Sequence, residues 1–140
     1  MKESENNFFQ LIYTSVPSQQ LNDQGLFDIL IDAQKYNQQA GVSGFMLYSP
    51  VKIIQLIEGD EANVNKLFQK IQTDPRHHSV STQHHGFADK RCMPFLGMGL
   101  CYMEELAPNA HQFYFTRHEA KNFSALITGD IGHFFKQYLD

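Results

Sequence analysis

Tryptophan is absent from this sequence, cysteine occurs only twice, and there is neither a basic excess nor a long apolar run. Cys92 and Cys101 stand in no metal-binding or redox spacing, so a disulfide framework is excluded and two free packing thiols in a reducing compartment are expected. A formal net charge of -4 removes the electrostatic footprint of a nucleic-acid or anionic-membrane surface. Direct DNA binding is therefore disfavoured. The opening stretch Met1-Lys2-Glu3-Ser4-Glu5-Asn6-Asn7 is polar and acidic, and no segment has the apolar length of a signal peptide or membrane span, so a cytoplasmic location is expected. Charged residues make up only 19%, against 42% hydrophobic residues and 12 phenylalanines, which excludes a disordered chain. A 140-residue chain suits one domain and hides roughly two thirds of its unfolded surface without staples.

The residues that are present divide into short periodic segments. Phe8 to Ser15 reads as a strand with Phe9, Leu11 and Tyr13 on one face. Leu26, Ile29, Leu30 and Ala33 recur at helical spacing behind a cap at Asn22 or Asp23, and Asn37 falls back within the same apolar stripe. Gly41-Val42-Ser43-Gly44 breaks that helix. Phe45 to Tyr48 forms a second strand, and Ser49-Pro50 turns into a third, Ile53 to Glu58. The third is apolar at successive positions, as in a strand covered on both faces, with Gln55 the exception. Val64, Leu67, Phe68 and Ile71 mark a second helix that ends before Asp74-Pro75. Ser79 to His85 and Gly97 to Tyr102 give weaker strand signals. The order predicts an α+β fold, the ferredoxin-like βαββαβ unit with an additional strand. Beyond Pro108, the stretch through Phe113-Tyr114-Phe115 and on to Leu139 reads as one or two amphipathic C-terminal helices. Residues 1–105 are expected to form the principal domain, with 106–140 a helical extension packed on the sheet or used for signalling or oligomerisation.

Tyr13, Asn37 and Gln55 are polar side chains at positions that should point inward. Each costs on the order of 1 to 3 kcal/mol if buried without a partner, so three near one locus imply either a mutual network or a polar ligand. Tyr13 can donate, and Gln55 offers both a donor and an acceptor, which makes a Tyr-to-Gln-to-ligand relay chemically sensible. The pairs His77-His78 and His84-His85 tempt toward a metal, but adjacent strand residues face opposite ways and no completing ligand spacing appears. Solvated turn histidines account for them. No P-loop, GxGxxG fingerprint or nucleophile elbow is present.

Five blocks, in order and at consistent spacing, resemble one known family. Leu11-Ile12-Tyr13-Thr14-Ser15 is similar to its opening strand, and Tyr36-Asn37-Gln38-Gln39-Ala40-Gly41-Val42-Ser43-Gly44 to its asparagine followed by a glycine-bounded turn. Ile54-Gln55-Leu56-Ile57-Glu58-Gly59 resembles its glutamine strand, Asp74-Pro75-Arg76-His77-His78 its Asp-x-Arg-His stretch, and Met98 the methionine of its fifth strand. The segment from about Phe9 to Met98 thus resembles the BLUF domain, a sensor of blue light using FAD.

The resemblance implies an FAD cofactor, with FMN possible, whose ring lies between the helices. Ile29 and Ile71 would meet its faces, Asn37 its polar edge and Lys70 a phosphate, while Asp74, Arg76 and His77 line the pocket. Tyr13 would pass an electron and a proton, Gln55 would rearrange and bond the C4 carbonyl, and Met98 would relay the change. It further implies a photosensory binding module rather than an enzyme. With no effector domain fused, output is expected through a downstream protein, a response or transcriptional regulator, with a homo-oligomer as the assembly. Two departures stand out: Leu96 occupies a position often held by tryptophan, and Tyr36 replaces a polar residue before Asn37. They keep open a light-independent adaptor that retains the fold and the partner surface. A third reading is a small ferredoxin-like flavoprotein or hydrolase using Tyr13 and the histidines.

Overall fold

The computed structural model describes residues 7–19, 21–93, 96–102 and 114–115. Strand β1 (Phe8–Pro17) buries Phe9, Leu11 and Tyr13 on one face by simple alternation. Helix α1 (Asp23–Ala40) begins at Asn22, whose side chain accepts the Gly25 N–H at 2.8 Å. That bond satisfies one of the donors the first turn leaves free. The stripe of Leu26, Leu30 and Asn37 is fully buried, so Asn37 does turn its amide inward. Gly41 ends the helix at φ 69°, a left-handed conformation that costs glycine nothing, and its N–H bonds the Asn37 carbonyl.

Strands β2 (Ser43–Ser49) and β3 (Lys52–Gly59) form a hairpin, and β3 is buried along its whole length after Lys52, as its continuous apolar pattern predicts. Gly44 has no room for a side chain: a Cβ there would stand 2.5 Å from the Leu56 carbonyl oxygen and 2.8 Å from Met98 Cε. A Gly44→Ala variant is therefore expected to lose about 1–3 kcal/mol of stability through overpacking. Urea unfolding followed by circular dichroism measures the loss.

Helix α2 (Glu61–Gln72) buries Val64 and packs Leu67, Phe68 and Ile71 against the same core. Among the described residues no helix is long and apolar enough to cross a membrane. Strand β4 (His77–Ala88) is longer than the Ser79–His85 segment that its sequence signals. It is an edge strand with most side chains exposed, so polarity hides it, and two register shifts against β1 blur its period further. Strand β5 (Gly97–Tyr102) lies parallel to β2, and the two residues of β6 (Tyr114–Phe115) lie parallel to β5.

The sheet order is β4-β1-β3-β2-β5-β6. Its first four strands are the ferredoxin-like βαββαβ unit, and β5 is the expected addition. Strand β6 is a further addition, too short to carry a periodic signal. That strand corrects part of the predicted helical extension over 106–140, since Tyr114–Phe115 is extended and pairs with β5, as two adjacent aromatics favour. The rest of the predicted C-terminal helices lies outside the described residues.

The face of the sheet away from the helices is equally dry, with Ile12, Leu47, Ile54 and Leu56 fully buried and Phe45 1% exposed. At one end of it the buried Glu58 carboxylate accepts four hydrogen bonds. They come from Gln10 Nε2 at 3.1 Å, Ser43 Oγ at 2.9 Å, and the Cys92 and Met93 N–H groups at 2.8 Å each. Arg91 donates to Ser43 Oγ and to the Gly41 and Glu58 carbonyls, so residues 91–93 are bound to the sheet at the approach to β5.

Candidate functional site

Between the two helices and the sheet lies a cavity of about 560 Å³. All ten residues singled out from the sequence line it. Helix α1 supplies Ile29 and Asn37, α2 supplies Lys70 and Ile71, the turn into β4 supplies Asp74 and Arg76, and β4 itself supplies its first residue, His77. Tyr13, Gln55 and Met98 come from three separate strands.

The polar floor is a short chain of hydrogen bonds. Antiparallel pairing sets Tyr13 opposite Gln55, and at 2% and 4% exposure both are out of water. The Tyr13 hydroxyl donates to Gln55 Oε1, while Gln55 Nε2 donates to Met98 Sδ at 3.3 Å. A thioether sulfur only accepts, so it favours the orientation in which Gln55 turns its nitrogen to Met98 and its oxygen to Tyr13. Burial, with a contribution from the Asp74 charge, raises the Tyr13 pKa far above the usual tyrosine range, and Tyr13 is a neutral phenol. Its ring packs against Phe68 and His77 at centroid distances of 5.5 and 6.1 Å.

Asn37 donates from Nδ2 to the Gly97 carbonyl at 3.1 Å, and its Oδ1 has no hydrogen-bond partner. Such an acceptor carries a cost on the order of 1–3 kcal/mol until something donates to it.

The charged rim is largely self-satisfied. Arg76 grips Asp74 through Nε and Nη2, the latter at 2.6 Å, and reaches Asp32 at 3.6 Å. Burial alone would raise the Asp74 pKa, but the hydrogen bonds and charge of Arg76 outweigh it and hold the carboxyl below its ordinary range. The His77 ring is bonded on both sides, to Ser15 Oγ at 2.7 Å and the Ile71 carbonyl at 2.6 Å. These three residues therefore build the wall from bonds among protein groups. Lys70 Nζ sits 4.4 Å from the Tyr36 ring centroid at the mouth.

Sequence reasoning missed Met46 and Ile53, which share the cavity face of the hairpin with Gln55, and also Ala33, Tyr36 and Leu67. Strand alternation and helix phase both carried that signal. Among the described residues no three His, Cys, Asp or Glu side chains gather as a metal site would require.

A ferredoxin-like sheet under two helices, with an apolar slot ending in buried amides, defines a small-molecule-binding α+β domain. Residues 8–99 match the family model described as sensors of blue light using FAD, and the chain belongs to that family, BLUF. Over 75 residues it is 40% identical to photoactivated adenylate cyclase subunit alpha of Euglena gracilis, covering 52% of this chain and 7% of that protein. Over 48 residues it is 35% identical to the blue light- and temperature-regulated antirepressor BluF of Escherichia coli strain K12, covering 34% of this chain and 12% of that one. The chain thus spans only a small part of these relatives' length.

Among solved structures, ground-state BlsA superposes with a TM-score of 0.64 at 29% identity, over 68% of this chain and 64% of BlsA. BlrP1 of Klebsiella pneumoniae, solved with FMN and cyclic diGMP, gives 0.66 at 26% identity, over 71% and 27%. Photo-activated BlsA gives 0.69 over 94% of both chains, and at 24% identity it bears on the fold alone.

Proposed function

We propose that this domain is a blue-light receptor that holds FAD non-covalently and signals by changing its grip on a partner protein. The carrying observation is the Tyr13–Gln55–Met98 hydrogen-bond chain at the floor of a cavity where Asn37 Oδ1 is left unpaired. A flavin ring suits that cavity, since it offers an N–H for Asn37 Oδ1 and flat apolar faces for Ile29 and Ile71. Lys70 at the mouth suits a phosphate, which FMN also carries. The choice of FAD follows the family description, while the FMN in BlrP1 makes FMN the alternative.

When bound, the flavin supplies blue-light absorption and a transient electron acceptor. Tyr13 is the oxidisable donor, and its proton already lies on a hydrogen bond to Gln55 Oε1. Gln55 can exchange its donor and acceptor ends, and Tyr13 recovers its electron and proton, so no net reaction remains. Turning Gln55 end for end would set its oxygen against the acceptor-only sulfur of Met98, which must then move. One hydrogen bond contributes about 0.5–1.5 kcal/mol, whereas inverting a population from 1:99 to 99:1 takes about 5.5 kcal/mol. The switch therefore acts through a larger bistable element. Our reading is that Met98 and β5 carry the change to residues 106–140 and to a cytoplasmic response or transcriptional regulator, with the receptor assembled as a homo-oligomer.

Absorption spectra of the purified protein before and after blue light, with a Gln55→Leu variant alongside, provide the test. The expected result is a small reversible red shift in the wild type and none in the variant. A colourless protein that cannot be reconstituted with flavin would overturn the proposal in favour of a light-independent adaptor, and a flavin that only bleaches would favour an enzyme.

A further inference from the structure

Helix α1 holds the start of β5 with two side-chain amides, and only Asn37 has been given a role. Gln34 lies one turn before Asn37 and makes a two-point contact with a single residue. Its Nε2 donates to the Met98 carbonyl, and its Oε1 accepts the Met98 N–H at 3.1 Å. Asn37 takes the adjoining Gly97 carbonyl, and the Gly97 N–H bonds the Val42 carbonyl at 3.1 Å.

The backbone is shaped to admit this grip. Gly97 has φ 119°, and a Cβ on it would stand 2.1 Å from Gln34 Oε1. Any other residue at position 97 would push the Gln34 amide off Met98. At the far end of Met98, the sulfur holds Gln55 Nε2.

We propose that Gln34 is a positioning residue for the Gln55 switch, which clamps both polar groups of the Met98 backbone so that the sulfur is held against Gln55. The inference rests on the photoreceptor reading, because a switch at Gln55 is what gives the clamp its purpose. With the clamp in place, Met98 can answer a turning Gln55 only by moving its side chain or by carrying the α1 contact with it. Without it, the start of β5 yields, and the light-dependent change is no longer tied to α1.

The test uses Gln34→Ala and Gln34→Glu in the full chain. Asn37 is untouched in both, so flavin retention is expected at the wild-type level. Gln34→Ala is expected to change the dark-recovery rate by roughly three- to tenfold, the scale of one or two hydrogen bonds. It should add nothing when combined with Met98→Ala, because the two residues act as one unit.

Gln34→Glu is the sharper probe. A protonated carboxyl can both donate to the Met98 carbonyl and accept its N–H, whereas an ionised one repels the carbonyl. Its recovery rate should approach the wild type only at or below about pH 4, where an ordinary glutamate takes up its proton, and approach the alanine variant at about pH 8. The Gln55 side-chain amide signals in ¹H–¹⁵N spectra, recorded in darkness, should shift with the same pH dependence. These signals test the clamp even if the wild type proves unable to switch, so failure of the clamp and failure of the photoreceptor reading are told apart. Unmoved Gln55 signals in both variants, or a Gln34→Glu variant whose pH profile copies the wild type, would overturn the proposal.

Discussion

Tyr13→Phe is expected to yield a protein that still takes up flavin but shows no light-induced shift at all. Phenylalanine keeps the ring contacts with Phe68 and His77, and Asn37 is unaffected, so the cavity survives. What disappears is the proton on the bond to Gln55 Oε1 and the phenol that can be oxidised with it. The orphaned Gln55 acceptor adds a stability cost of about 1–3 kcal/mol, readable in urea unfolding.

A pH profile of the wild type follows from the same site. Because burial and Asp74 raise the Tyr13 pKa, its hydroxyl keeps its proton in the folded state, and the amplitude of the shift should stay flat from neutral pH to about pH 10. The linkage sign is that of a raised folded-state pKa. This contribution to stability is complete below the ordinary tyrosine value and is lost as pH climbs above it, because the unfolded chain then releases a proton that the folded chain keeps. A shift amplitude that fell with a midpoint near an ordinary tyrosine would show that water reaches the phenol.

Glu58→Ala should be strongly destabilising, since each buried donor left without an acceptor costs about 1–3 kcal/mol against a total of about 5–15 kcal/mol for a domain. Removal of the carboxylate leaves the Cys92 and Met93 N–H groups and the Ser43 hydroxyl without their acceptor, and leaves Gln10 Nε2 with the Cys92 sulfur at 3.3 Å. Glutamine is not a safe replacement. All four partners donate, which suits a group that only accepts, whereas an amide would turn its NH2 toward donors. Glu58→Gln is therefore expected to cost about 1–3 kcal/mol. Urea denaturation followed in parallel by circular dichroism and bound-flavin absorbance measures both. Equal stability of Glu58→Ala and wild type would mean that residues 91–93 are held by something other than this carboxylate.

The contrast between Tyr13 and Glu58 illustrates which parts of the molecule can be read from sequence. Tyr13 and Asn37 interrupt clear apolar periods, so their inward direction follows from strand alternation and helix phase, and Gln55 breaks a continuous apolar run. Those irregularities mark the cavity floor before any coordinates are known. Glu58 ends a strand where a charged residue is unremarkable, and its partners Gln10, Ser43 and Cys92 come from three distant segments, so no local pattern announces the network. Gln34 lies between these cases. It stands four residues after Leu30 and three before Asn37, on the buried side of α1, but its bonds to Met98 depend on a tertiary contact and on the unusual backbone of Gly97. Edge strand β4 was only partly legible because half-wet strands need no apolar alternation.

The two thiols have a practical consequence. Burial and the Glu58 carboxylate push Cys92 up to about 12, and Cys101 is fully buried. Since the thiolate is the nucleophile, neither residue should react appreciably with a maleimide at neutral pH. The wild-type sequence can therefore serve directly as a labelling background. A single cysteine introduced at an exposed site, such as Lys35 on α1 or Leu96 before β5, would take a fluorophore or spin label selectively, so that movement between the helix and the strand can be followed in real time under illumination.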